Sequence, residues 1–261
     1  METIVLGNLT VSRFILGTNP ISGFSHQSTE MDEEMKGWYT IDRIKALFHE
    51  AESLGINTVI ARTDMRVMSF MREYWDEGGT IQWFAQTCPP EGPPELCIQR
   101  AIAGGAKACH LHGGYMDHQL LNDQLDVVPC LIDMTRSAGL LAGVAGHDPR
   151  VIEWAEKNLD VDYYMCSYYN SMHRDQRPEH VSGSSEWFWP EDRKIMTGLI
   201  QKLSKPAIHY KILAAGRNDP AEAFAFTGKA MRPQDAVCVG VYPANKPSML
   251  REDVELLTQN L

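Results

Sequence analysis

The chain has 261 residues, of which 44% are hydrophobic and 22% are charged, a length that a single barrel domain commonly reaches. Its 24 basic and 34 acidic residues give a formal charge of −10, which argues against nucleic acid as a partner because phosphate binding needs a basic surface. No apolar run approaches the length of a membrane span, so we expect no membrane partner.

Eight short runs rich in β-branched and aromatic residues alternate with eight amphipathic helical stretches along the chain. This alternation is typical of parallel β-α-β units. In chain order, the predicted strands cover residues 14–16, 58–61, 81–85, 108–112, 141–145, 163–167, 207–212 and 236–241.

Local signals predict where the helices begin and end. Thr40 opens a helix that runs through Glu52 and stops before Gly55, since glycine is favoured just past a helix end. A proline suits the first turn of a helix and a serine suits its cap. On that basis, further helices are predicted over residues 94–101, 149–158, 220–229 and after Ser248.

Eight strand–helix units without a linker between them predict a (β/α)8 barrel, with residues 1–261 as one domain. An open, doubly wound sheet is the alternative, but no G-x-G-x-x-G motif follows the first strand. Two long connections, 19–39 and 170–189, follow strand carboxyl ends, where barrels build active sites. The second is aromatic, which favours a packed lid over a dimer-contact loop; its aromatic run is Trp187, Phe188 and Trp189.

Six scattered cysteines, without any C-x-x-C pair, indicate reduced and mostly buried thiols rather than a disulfide framework. The N-terminus lacks the basic, apolar and small-residue segments of a signal peptide. We therefore expect a cytoplasmic protein, unless a precursor has already lost its signal. Nothing in the sequence fixes an oligomeric state, so a homo-oligomer stays open.

The N-terminal segment METIVLGNLTVSRFILGTN resembles the start of many aldo-keto reductases, in which a short β-hairpin plugs the bottom of the barrel. Other short segments resemble that family in the same order along nearly the whole chain. They are AESLGINTV (51–59), LHG (111–113), AGVAGH (142–147), YYN (168–170) and YKILAAG (210–216). The resemblance implies a TIM barrel with an N-terminal hairpin plug.

Most of the catalytic tetrad of that family is missing. The resemblance puts the family's Asp at Ile60, its Tyr at Met65 and its Lys at Gln86 (or at Thr87 in a register shifted by one), whereas the His is kept as His112. A tyrosine acid with a neighbouring lysine makes ketone reduction workable near neutral pH. We therefore expect hydride transfer to be lost.

The positions that hold the nicotinamide in that family are also changed. The resemblance puts its glutamine at Cys166 and its Ser-Asn pair at Ala145 and Gly146. Tyr210 alone stands where the family stacks an aromatic ring on the nicotinamide. NAD(P)H is therefore the less favoured cofactor, and a reductase with a rebuilt site is the alternative hypothesis.

Polar residues concentrate at the predicted strand ends. Side chains alternate between the barrel interior and the helix layer. If Ile60 points inward, Arg62 does so too, and Asp64 follows at the rim. By the same alternation, His110 and His112 share a face. Such residues at this end of a barrel are more often catalytic than structural. The others at or beyond strand ends are Gln86, His147, Asp148, Asn170, Lys211 and Arg217.

His112 is the predicted proton-transfer residue because the imidazole titrates near physiological pH; a core histidine bonded to a carbonyl is the other interpretation. Arg62, Lys211 and Gln86 are predicted to stabilise a developing oxyanion. A salt bridge from Arg62 to Asp64, and a Schiff base or anion-binding role for Lys211, stay open. The residues expected to bind substrate are Asp64, His147, Asn170, Tyr210 and Arg217.

A divalent metal is a further possibility, with His110, His112 and His147 as ligands and Asp64 or Asp148 completing the shell. Strand histidines are more often packed in the core or hydrogen-bonded. The histidines of the long loops are interpreted as solvated; they are His26, His173 and His180.

Three functional hypotheses follow. The first is a non-redox enzyme for a small sugar- or hydroxy-acid-like molecule, with His-centred acid/base chemistry and an isomerase, lyase or hydrolase reaction. The second is the NAD(P)H-dependent reductase with a rebuilt site. The third is a non-enzymatic ligand-binding barrel, which predicts that side chains fill the polar ring, so an open pocket of several hundred Å³ would count against it.

Overall fold

Ten strands form a hairpin and a closed barrel in the computed structural model, which describes residues 1–261. The antiparallel hairpin comprises β1 (Thr3–Leu6) and β2 (Leu9–Ser12). Eight parallel strands follow and close because β10 pairs with β3. They are β3 (Phe14–Gly17), β4 (Thr58–Arg62), β5 (Gln82–Gln86), β6 (Ala108–Leu111), β7 (Leu141–Gly146), β8 (Tyr163–Ser167), β9 (Ala207–Tyr210) and β10 (Ala236–Gly240).

Ten α-helices connect and surround these strands. They are α1 (Thr29–Trp38), α2 (Ile41–Ser53), α3 (Met65–Asp76), α4 (Pro94–Ala103), α5 (Gly113–Leu121), α6 (Val128–Ser137), α7 (Pro149–Asn158), α8 (Pro190–Ile200), α9 (Pro220–Ala230) and α10 (Met249–Asn260). No helix is long and apolar enough to cross a membrane. The predicted (β/α)8 barrel is thereby confirmed, together with its N-terminal hairpin.

The hairpin closes the bottom of the barrel. Ile4, Leu6 and Val11 pack in one buried cluster with the inward side chains of the barrel strands. The carbonyl of Thr10 accepts hydrogen bonds from the side chains of Asn57 and Gln82, which stand at the amino ends of β4 and β5. Burying these apolar side chains stabilises the plug at the end of the barrel opposite the strand carboxyl ends.

Two sequence predictions differ from the structure in ways that shape the upper end of the barrel. The predicted strand over 207–212 ends at Tyr210, because Lys211 adopts a left-handed φ of +59° that breaks the extended backbone. The connection predicted as a loop over 19–39 contains α1, which begins where the Ser28 side chain accepts a hydrogen bond from the Met31 N–H.

Candidate functional site

A cavity of about 590 Å³ opens at the carboxyl ends of the barrel strands. This volume is in the range of ligand-binding pockets, and it counts against a barrel whose polar ring is filled by side chains. Residues of the two long loops, including Phe24, His26, Arg174 and His180, form part of its wall. Six predicted site residues line it as well: Arg62, Gln86, His112, His147, Tyr210 and Lys211.

His147, at the end of β7, is held by a buried carboxylate. Its Nδ1 lies 2.7 Å from Oδ2 of Asp117, and its backbone N–H donates to Oδ1 at 3.0 Å. Asp117 projects from α5, with a side chain only 3% exposed. The N–H of Asp148 also donates to Asp117, and Nε of Arg174 lies 3.3 Å from it.

These contacts decide the protonation of the pair. Burial raises the pKa of Asp117 to about 7, and Arg174 with the backbone N–H groups of His147 and Asp148 opposes that rise. Two backbone N–H groups donate to Oδ1 and the Arg174 guanidinium lies beside Oδ2; these contacts favour the charged form, so we assign Asp117 as ionised.

His147 is correspondingly neutral and oriented. Burial and the nearby charge of Arg174 hold its pKa well below the usual value. Because Asp117 can only accept, Nδ1 of His147 carries the proton, and Nε2 is left as an acceptor with no hydrogen bond to the protein. A neutral imidazole with a free nitrogen beside a cavity can accept a proton from a bound molecule, and the ionised Asp117 at Nδ1 would stabilise the resulting imidazolium.

His112 lies at the start of α5 and has the opposite tautomer. Its Nδ1 accepts a hydrogen bond from the Tyr115 N–H at 3.3 Å, so the proton of the neutral ring is on Nε2. Its backbone N–H donates to Thr87 Oγ1 at 2.8 Å. Burial, with the charge of Arg174 and the neighbouring His147, holds the pKa of His112 well below the usual value.

His110 lies below the cavity, inside the barrel, and is 1% exposed. Its Nδ1 is 3.1 Å from the Tyr163 hydroxyl and its Nε2 is 3.4 Å from Oε1 of Gln86. Burial lowers the pKa of His110 to about 3, so the ring is neutral. The bond from His110 orients Gln86, whose amide nitrogen has no partner in the protein. Gln86 can therefore donate to a molecule in the cavity.

The three histidines predicted as metal ligands are not brought together. His110 is bonded to Tyr163, and His147 to Asp117, while His112 caps α5. The one group of metal-ligating side chains whose ligand atoms lie within 4.8 Å of one another is found elsewhere, in the two long loops.

Arg62 lines the cavity, and its guanidinium is hydrogen-bonded to the thiol of Cys88. Its Nε and Nη2 lie 3.1 and 2.7 Å from Sγ of Cys88, and its guanidinium sits 4.9 Å from the centre of the Phe24 ring. Nε is also 3.4 Å from Asp64, so the salt bridge weighed in the sequence is present. Burial nonetheless raises the pKa of the Cys88 thiol, which argues against a reactive thiolate there.

Three predicted substrate-binding residues lie outside the cavity lining. Asp64 caps α3, since its carboxylate accepts the Val67 N–H at 2.9 Å. Asn170 donates its backbone N–H to Asp192 at 3.2 Å. Arg217 packs on Phe188, 4.4 Å from the ring centre. These contacts tie down the surrounding loops.

Two of the positions matched to the reductase tetrad carry apolar side chains. Ile60 is buried in the barrel interior, and Met65 is 64% exposed at the start of α3. Tyr210, matched to the aromatic residue that stacks on the nicotinamide in that family, lines the cavity, and burial raises the pKa of its hydroxyl well above the usual value.

Sequence reasoning missed Asp117 and Arg174. Asp117 is a charged residue on the buried face of a helix that directly follows a strand, and charged residues are rarely buried without a partner. That local signal was available. Arg174 belongs to a long irregular loop, and no periodicity connects it with Asp117.

Comparisons with known proteins bear on the fold. No protein-family model matches the chain, and no curated protein sequence is detectably similar to it. A putative aldo-keto reductase from Pseudomonas aeruginosa superposes over 100% of this chain and 94% of its own, with a TM-score of 0.66 and 16% identity. The aldo-keto reductase AKR11C1 from Bacillus halodurans, in its holo form, covers 98% and 91% with a TM-score of 0.63 and 15% identity.

A truncated 3-deoxy-D-arabino-heptulosonate 7-phosphate synthase from Thermotoga maritima is also similar, with a TM-score of 0.60 and 12% identity over 99% of this chain and 91% of its own. The resemblance to aldo-keto reductases is thus confirmed as a likeness of fold. Identities this low, and neighbours with different chemistries, leave the reaction to be argued from the site itself.

Proposed function

We propose that this protein is an enzyme that moves protons on a small oxygenated molecule, of the sugar or hydroxy-acid type, without a hydride step. The observation that carries the proposal is the neutral His147, fixed by the buried Asp117 with its acceptor nitrogen left unbonded beside the cavity. His112 supplies the complementary group, since its Nε2 carries a proton.

An acid and a base of this kind suit proton transfer next to a carbonyl group. Nε2 of His147 would take a proton from the carbon beside the carbonyl, and Nε2–H of His112 would donate toward the carbonyl oxygen as negative charge develops there. Arg62, Gln86 and Lys211 also line the cavity and offer donors to the oxygens of the substrate. An isomerisation or an elimination of water uses this first step.

Deuterium exchange tests the proposal without knowledge of the final product. The chain is incubated in D2O with a panel of small hydroxy-aldehydes, hydroxy-ketones and hydroxy-acids, and deuterium uptake at carbon is followed by NMR. We expect uptake with at least one compound class. His147→Gln should reduce it by about 100- to 10,000-fold, the usual contribution of a general base.

Two matched variants separate the roles. Asp117→Asn keeps the shape but removes the charge that orients His147, so it should lower turnover and shift the histidine tautomer seen by 15N NMR. His49→Gln, on the surface of α2 with its side chain 51% exposed, should leave the rate unchanged. Full activity in His147→Gln would refute the proposal.

The reductase alternative rests on the shared fold and on Tyr210 beside the cavity. A fluorescence titration with NADPH and NADH distinguishes it. Saturable micromolar binding, together with cofactor oxidation by carbonyl compounds in the His147→Gln variant, would replace the proposed chemistry with a hydride transfer.

A further inference from the structure

A second polar group joins the two long loops over the cavity. His26 comes from the connection after β3, whereas His180 and Glu186 come from the connection between β8 and α8. Nδ1 of His26 lies 2.6 Å from Oε1 of Glu186, and Nδ1 of His180 lies 3.1 Å from the same oxygen. We call these three residues the loop cluster. Both histidines also line the cavity.

The loop cluster is enclosed, and one of its atoms lacks a partner. The side chains of His26, His180 and Glu186 are 11%, 10% and 2% exposed. Nδ1 of His180 is fully buried and makes no hydrogen bond, although it lies close to Glu186. A buried polar atom without a partner is costly. This one lies within 4.8 Å of a ligand atom of His26 and of Glu186, a position in which a shared ion would satisfy it.

Other side chains orient the carboxylate of Glu186. Its Oε2 accepts a hydrogen bond from Ser171 at 2.6 Å and lies 3.9 Å from Nζ of Lys211. Oε1 is thereby left for the two histidines. Outer contacts of this kind fix the direction of a metal ligand and are typical of built metal sites.

The backbone around the loop cluster is held in place. His26 has a left-handed φ of +55°, a conformation that costs energy for a residue other than glycine, and its carbonyl accepts a hydrogen bond from Arg217 at 2.9 Å. Asp32 connects the loops, since its carboxylate accepts hydrogen bonds from Ser25 and from Ser182. The ligand atoms are therefore presented by an anchored framework.

We propose that the loop cluster binds one divalent transition-metal ion, with His26, His180 and Glu186 as its protein ligands. Two imidazoles and one carboxylate are the ligand set of several catalytic zinc sites, in which a remaining position is open to water or substrate. Here the open side is the cavity that both histidines line. Tetrahedral coordination at about 2.1 Å needs ligand atoms about 3.4 Å apart. The two histidine nitrogens lie 2.6 and 3.1 Å from Oε1 of Glu186, so both distances would have to widen when an ion enters between them.

This proposal goes beyond the proton-transfer function and does not depend on it. The ion would bind an oxygen of a molecule in the cavity and polarise it, whichever reaction follows. Carbonyl or hydroxyl oxygens of the small molecules considered above are suitable ligands.

Metal binding to the full chain is the test. The protein is stripped with EDTA, dialysed, and titrated with Zn2+ in competition with a chromophoric chelator. We expect one Zn2+ per chain. Single substitutions His26→Gln, His180→Gln and Glu186→Gln should each weaken binding at least about 100-fold, because the loss of an outer contact alone costs about 10- to 100-fold.

His173→Gln is the matched control, because His173 lies in the same loop but packs on Trp187, with the ring centres 5.2 Å apart. It should bind Zn2+ like the original chain. Absence of saturable binding to the stripped protein, or equal affinity in all four variants, would overturn the proposal and leave the loop cluster as a hydrogen-bonded ion pair.

X-ray absorption of the Zn2+-loaded original chain needs no variant, so it keeps the test decisive if a substitution prevents folding. Two imidazole nitrogens and at least one oxygen are expected around the ion. Sulfur ligands, or an all-oxygen shell, would place the metal elsewhere and refute the assignment. Neither result bears on deuterium exchange in the absence of metal, so failures of the two proposals are distinguishable.

Discussion

Asp235 forms a buried ion pair at the amino end of β10, and its removal has a calculable consequence. The side chain is fully buried. Its carboxylate accepts from Nη2 and Nε of Arg232 at 2.8 and 3.0 Å, and from the Ala207 N–H at 2.8 Å. Burial alone would raise the pKa of this carboxyl group, but the bonds from His209, Arg232 and Ala207 outweigh it and lower the pKa to about 2.

The magnitude follows from this shift. The ordinary pKa is 3.8, so a folded-state pKa of about 2 favours the charged form by about 2 to 3 kcal/mol. Because the folded pKa is the lower one, this stability is present above pH 4 and is lost as the pH falls through about 2. Asp235→Asn should therefore destabilise the protein by about 2 to 3 kcal/mol at pH 7, and by more if Arg232 is left buried without a partner.

Urea unfolding followed by circular dichroism measures the difference. The midpoint should fall with an unchanged slope between pH 5 and 8. The difference between the two chains should shrink below pH 4 and nearly vanish at pH 2. Asp76→Asn, which breaks an exposed pair with Arg72 on α3, is the control and should leave the midpoint unchanged. Equal midpoints at pH 7, or a difference that persists at pH 2, would refute the reasoning.

Burial raises the pKa of Asp253 to about 7, so ionising this carboxyl group costs stability as the pH rises from 4 to 7. Asp253→Asn should therefore raise the free energy of unfolding at pH 8 by about 2 to 4 kcal/mol and leave it unchanged at pH 4. Gly143→Ala would put a Cβ 2.6 Å from the Tyr163 ring inside the barrel and should lower the free energy of unfolding by about 1 to 3 kcal/mol, measured by thermal unfolding. Gly198→Ala has open space around the new Cβ and should be neutral or stabilising in that assay. Cys130 is the one exposed cysteine and should react fastest with a disulfide reagent. Cys238 is partly buried with a raised pKa and the other four are buried, so a second thiol as fast as Cys130 would contradict the structure.

The barrel could be predicted because its signals are local. Strand and helix periods, together with prolines such as Pro149 and Pro220 in first turns, appear within a few residues of one another. Where the prediction failed, the cause was also local. The early end of β9 reflects the left-handed backbone of Lys211, which nothing in a run of β-favouring residues foretells.

The candidate site could be predicted only in part. The rule that strand carboxyl ends face the mouth of a barrel identified His112 and His147 as its residues. Their chemical roles depend on contacts with residues that this rule does not identify. Asp117 contacts His147 across 30 residues of sequence, and Arg174 reaches the same carboxylate from a loop. Such pairs become visible only when the chain is folded.

The long loops show the same limit more sharply. Loop histidines are usually solvated, so the sequence alone gave no reason to assign a function to His26 or His180. Folding puts both of them against Glu186, 160 residues from His26 and only 6 from His180. The two proposed chemistries would therefore share one cavity: a neutral imidazole pair just after two barrel strands, and a candidate ion site in the loops. Because different elements carry them, each can be removed without the other, and activity measured in the two sets of variants will show whether the reaction needs both.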